Sequence, residues 1–204
     1  MLESILAFLG ATAVLAISPG PDNIYVLTQS IANGRKAGLA TTAGLISGCI
    51  VHTTLIAFGV SALIAASPKI FWVIKIFGAA YLLFLAYKIF KSDASIAFGE
   101  GAPKKSYGEL FKQGVIMNIL NPKVTIFFLA FFPAFIWEPE GNTVYQFYVL
   151  GILFMLLSFL IFGSFAWLAG SISSYLKKHA NAGLILKWLQ IIVFVGIAIF
   201  ILLP

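Results

Sequence analysis

The chain has 204 residues, 61% of them hydrophobic and only 10% charged, with a formal net charge of +6. An ordinary soluble domain carries about 25% charged residues, so lipid is the solvent that this much apolar surface requires. One cysteine, Cys49, excludes a disulfide framework, a CxxC redox pair and a multi-thiolate metal site. The positive balance fits lysines gathered on cytoplasmic loops, and no nucleic acid is expected as a partner.

A spanning helix needs about 20 mostly apolar residues. Six stretches qualify, at residues 2–30, 37–66, 70–87, 111–137, 144–172 and 184–203. The start Met1-Leu2-Glu3-Ser4 lacks the basic residues of a signal peptide, so the first apolar stretch is expected to remain in place. The first two stretches exceed one upright crossing, which predicts tilts or kinks. The third is short and contains Lys75.

Charge, glycine and proline mark the connections. They are Asn33-Gly34-Arg35-Lys36, Ser67-Pro68-Lys69, the long polar segment 91–109, Glu138-Pro139-Glu140-Gly141-Asn142 and Lys177-Lys178-His179. Alternate connections gather ten of the thirteen basic residues: Arg35, Lys36, Lys88, Lys91, Lys104, Lys105, Lys112, Lys177, Lys178 and Lys187. The positive-inside rule then puts both termini outside and the long connection in the cytoplasm. The expected fold is an all-α integral membrane domain over 1–204, with six transmembrane helices. Halves 1–90 and 110–204 are joined by a cytoplasmic linker, 91–109. Three spans per half make equivalent helices cross in opposite directions, the inverted repeat of many secondary transporters.

The first helix of each half is interrupted. In Ser18-Pro19-Gly20-Pro21-Asp22-Asn23, two prolines flank a glycine and no straight helix survives. Freed backbone groups cost several kcal/mol each in a bilayer, so the stretch must be buried in protein or line a cavity. Ser18 and Asn23 are the candidate caps for the new helix ends, and Asp22 falls near a helix N-terminus, where negative charge is favoured. The second interruption is Asn118-Ile119-Leu120-Asn121-Pro122-Lys123. Pro122 breaks the ladder, Asn118 and Asn121 supply amides, and Pro133 adds a later kink. Asp22 and Lys123 each cost about 2.5–3.5 kcal/mol at the membrane centre. A structural ion pair, or snorkelling of Lys123, is the plain alternative to a role in transport. Opposite charges at matching breaks, near mid-depth, favour the second reading.

These two motifs, SPGPDN at 18–23 and NPK at 121–123, resemble those of the lysine-exporter (LysE/RhtB) translocators. Phe111, Gly114 and Asn118 before the NPK fit the same pattern, as do the stretch 127–133 and Gly78-Ala79-Ala80-Tyr81-Leu82. The similarity covers essentially the whole chain. It implies a bacterial inner-membrane exporter of amino acids, driven by the proton gradient. On that reading the partners are an amino-acid substrate, protons and membrane lipid, with neither cofactor nor metal. Asp22 would meet the substrate ammonium. Lys123, Asn121 and the backbone donors near Pro19, Gly20 and Pro21 would meet its carboxylate, and alternating access would carry it across. Asp22 is the best candidate proton carrier. The absence of a second embedded carboxylate leans the substrate towards neutral amino acids. A metal-ion or other small-solute exporter and a non-transporting scaffold are the rival readings. The first lacks a ligand set, and the second leaves the charged breaks without purpose.

Weaker signals remain. Gly44 and Gly48, with Gly34 and Gly38 before them, fit close helix packing, within the chain rather than at a homodimer seam. His52 reads as a satisfied interior histidine before a proton relay. Tyr25 and Gln29 follow Asn23 near one helix face and are candidates for the pathway wall or, equally, for supporting partners of Asp22. The twenty Phe are expected in packing and lipid-facing positions, and Trp72, Trp137 and Trp188 lie near span ends.

Overall fold

Proline at the first position of a helix costs little, because its missing N–H would have no partner there. Three of the described helices begin on one, at Pro21, Pro68 and Pro122. The computed structural model describes residues 1–17, 20–92, 102–178 and 182–202. All regular structure among them is helical: α1 (Leu2–Ile17), α2 (Pro21–Asn33), α3 (Arg35–Ala66), α4 (Pro68–Lys91), α5 (Tyr107–Ile119), α6 (Pro122–Phe131), a 3₁₀ turn (Phe132–Phe135), α7 (Thr143–Lys178) and α8 (Ala182–Leu202). Both proline-marked interruptions are real bends, of 56° between α1 and α2 and 55° between α5 and α6 with its 3₁₀ extension. Pro133 sits inside that 3₁₀ turn.

Among the described residues three helices are long and apolar enough to cross a membrane, α3, α7 and α8. Counting each bent pair as one span raises the number to five. The chain is thus a multi-pass membrane protein. The remaining expected crossing corresponds to α4, which runs 24 residues and packs chiefly on α8 and α6.

Two boundaries differ from expectation. Segment 91–109 is not all linker, because α4 continues to Lys91 and α5 begins at Tyr107. The early start has a local cause. Glu109 N donates to Ser106 Oγ at 3.3 Å, and Ser106 N donates to Glu109 Oε2 at 2.8 Å. This reciprocal capping box satisfies two donors at the helix start. At the other place, Lys177 and Lys178 continue α7 instead of ending it. His179 lies outside the described residues.

Helix α3 is the hub, packed on α5, α7 and α2. In lipid the apolar effect does not drive helices together, so close approach and dispersion must. Glycines provide that approach. A Cβ at Gly44 would fall on the Phe111 carbonyl, one at Gly114 on the Thr41 carbonyl, and one at Gly48 on the Asn118 side chain. The Gly44–Gly48 face is therefore filled by α5 of the same chain, as expected. Gly34 joins α2 to α3 with φ +86°, which L side chains rarely adopt, and Gly38 lies against Ser30 of α2. Elsewhere in the bundle, Phe8, Phe128, Phe131 and Phe132 are fully buried. Phe128 stacks on Phe132 with ring centroids 4.3 Å apart, and Phe127 on Phe131 at 4.5 Å.

Candidate functional site

The first break is closed by its own sequence. Where α1 stops, its last carbonyls lose their helical donors. Asn23, on the first turn of α2, turns back so that Nδ2 donates to Ala16 O at 2.9 Å. It is 6% exposed and acts as the expected cap. Ser18 and Pro19 lie outside the described residues. Gly20 runs extended (φ −156°, ψ 173°) into Pro21, leaving half-buried Asp22 in the first turn of α2, where the helix dipole favours a carboxylate. Asn23→Ala strands the Ala16 carbonyl. We expect a loss of about 1–3 kcal/mol, seen as a lower unfolding midpoint in detergent while Asn23→Gln falls between variant and wild type.

The second break is tighter. Helix α5 ends at Ile119, and Asn121 N donates to Asn118 O at 3.1 Å. Helix α6 starts at once on Pro122, with Thr125 N donating to Asn121 O at 3.1 Å. His52 Nε2 of α3 lies 3.1 Å from Asn118 O. Asn118 is 4% exposed, and its Oδ1 has no hydrogen-bond partner among the described residues. Lys123 is the second residue of α6, and its side chain lies outside the described ones.

Both breaks open on one cavity, with about 750 Å³ of empty space counting its mouth. Gly20, Pro21, Asp22 and Asn23 line it from the first break, and Asn118 and Asn121 from the second. Six of the sequence-predicted residues thus share one cavity lining, and Pro122, which is not among the lining residues, begins α6 at the bend. Tyr25 and Gln29 are not among the lining residues. Gln29 is buried and accepts from Asn33 Nδ2 at 2.9 Å, and Asn33 in turn reaches the linker carbonyl of Ala102 at 3.4 Å.

The remaining walls were not foreseen. Helix α7 presents Phe154, Ser158 and Phe162, and α3 presents Leu45, Ile46 and Cys49; Leu82, Leu85 and Phe194 are among the residues that add to the apolar side. The four-residue spacing of Phe154, Ser158 and Phe162 puts them on one helical face. That lone hydroxyl in an apolar run was the available signal. The result is a carboxylate, several amides and one hydroxyl in an otherwise apolar lining. In such surroundings charge–charge attraction is far stronger than in water, and a small zwitterion fits the combination. Among the described residues no group of three or more His, Cys, Asp or Glu is placed to hold a metal ion.

The family model for LysE type translocators matches residues 13–204. A homoserine/homoserine lactone efflux protein of Salmonella typhimurium is 32% identical over 171 residues, 84% of this chain and 82% of its own length. An uncharacterized membrane protein of Bacillus subtilis is 33% identical over 170 residues, 79% of this chain and 80% of its own. Another, of Vibrio cholerae, is 30% identical over 173 residues, covering 85% and 84%. No solved structure matches the chain. With the paired breaks, their shared cavity and a family match spanning nearly every residue, the chain belongs to the LysE type translocators, a family of transporters and not of enzymes.

Proposed function

We propose that this protein exports small neutral amino acids, or close derivatives such as homoserine, across the bacterial inner membrane by proton antiport. The observation that carries the reading is the single cavity shared by both helix breaks, with Asp22 on one side and Asn118 and Asn121 on the other. An amino-acid head group needs a negative partner for its ammonium and donors for its carboxylate. Asp22 takes the first role. Asn121, Lys123 and the backbone around Pro19, Gly20 and Pro21 take the second. The apolar walls, interrupted by Ser158, suit a short uncharged side chain and offer no second carboxylate for a basic one. The efflux activity named for the Salmonella relative points the same way.

In this reading α4 is the third crossing, the two bent pairs are one crossing each, and the halves 1–90 and 110–204 form an inverted pair with both termini outside. The halves rock about the cavity in alternating access. The test is efflux of a panel of labelled amino acids from cells expressing the protein. Selective loss of neutral amino acids is expected, with basic ones retained. Efflux of basic amino acids alone, or of none with the protein folded in the membrane, would overturn the reading and bring other small solutes forward.

A further inference from the structure

Because Pro122 has no N–H, the Asn118 carbonyl four residues earlier lacks the donor that an unbroken helix supplies. Asn121 N reaches it at 3.1 Å, the short bond common at helix ends. The carbonyl has a second lone pair, and there the structure puts Nε2 of His52, at 3.1 Å. A carbonyl can only accept, so Nε2 carries the hydrogen, in the neutral ring as in the charged one. Nδ1, the other ring nitrogen, is buried and has no hydrogen-bond partner among the described residues. His52 is 3% exposed, and its ring lies 5.4 Å from that of Phe128 on α6. The imidazole therefore touches both sides of the second break, the last turn of α5 and the body of α6.

We propose that His52 is a positioning residue: its Nε2–H replaces the donor that Pro122 removes and so holds Asn118 and Asn121 on the cavity wall. The role rests on the cavity being the transport site, and the ring itself is not among the residues that line it. A relay would need the proton on His52 to come and go. The latch needs only an N–H at Nε2, which a glutamine amide can supply.

Two measurements test this. The first is nitrogen NMR of histidine-labelled protein, simplified because the chain has only two histidines and His179→Gln identifies the second. A protonated Nε2 with bare Nδ1, or both nitrogens protonated, is expected. A neutral ring protonated at Nδ1 overturns the proposal. The second compares His52→Ala with His52→Gln in reconstituted efflux. Alanine should raise the half-saturating substrate concentration about tenfold, the scale of losing one of the two hydrogen bonds to a buried carbonyl. Glutamine should restore it to within about twofold of wild type, with the wild-type dependence on pH kept. A glutamine variant as impaired as alanine overturns the latch, and so does one that transports but loses its pH dependence. Should His52→Ala fail to fold, the glutamine variant and the tautomer still decide. Should the wild type move no amino acid, the transport reading fails separately; the tautomer and the unfolding midpoint of the glutamine variant still judge the latch.

Discussion

Asp22→Asn is expected to abolish efflux driven by a pH gradient, by about a hundredfold or more, while substrate exchange at equal pH partly survives. Glu3 is exposed at the start of α1, Glu109 is tied to Ser106, and Glu138 and Glu140 lie in the connection before α7. Of the described acidic residues only Asp22 lines the cavity. An asparagine there keeps the shape, an acceptor oxygen and the first turn of α2, but it can neither take up nor release a proton. It still offers its oxygen to a substrate ammonium, so a loaded carrier can still exchange. Proteoliposomes with an imposed pH gradient measure the first activity, and labelled-substrate exchange without one measures the second. Equal loss of both would assign Asp22 to substrate binding and send the search for the proton carrier elsewhere.

Gly44→Ala is expected to destabilise the protein by about 1–3 kcal/mol and to weaken substrate binding with it. The added carbon falls on the carbonyl of Phe111, which is backbone and has no rotamer to adopt. Relief requires α3 and α5 to separate, and α5 carries Asn118 to the cavity. Gly10 and Gly59 supply the control, since a Cβ at either meets open space. Alanine there gains helix propensity, about 0.8–1 kcal/mol in soluble hosts, and should be neutral or stabilising. Unfolding midpoints of the three variants in one detergent make the comparison. A Gly44→Ala midpoint matching the controls would mean that the α3–α5 seam is looser than described.

The sequence made the breaks legible because proline chemistry is local: Pro21 and Pro122 end a ladder whatever surrounds them. It made most helices legible because a crossing must be long and apolar. It hid the faces. In a bilayer both the protein interior and the lipid favour apolar side chains, so composition does not tell Phe131, fully buried, from Phe77, which is 72% exposed. For the same reason Ser158 passed unnoticed among apolar neighbours, and the cavity wall on α7 was found only in three dimensions. The early start of α5 was a different miss. Ser106 and Glu109 spell a capping box, but the apolar count began at Phe111. For Tyr25 and Gln29 helical spacing leaves wall and supporting positions equally open, and Gln29 turns to Asn33.

The glycine face of α3 also bears on how the protein is made. Helix α5 holds Glu109, Lys112, Gln113 and Asn118 within 13 residues, a poor candidate for holding its place in lipid unaided. Its groove on α3 is synthesised about seventy residues earlier, so α5 is expected to leave the translocon only with that groove beside it. The first half would then serve as the template on which the second is inserted, and co-expressed halves should assemble only when Gly44 and Gly48 are intact.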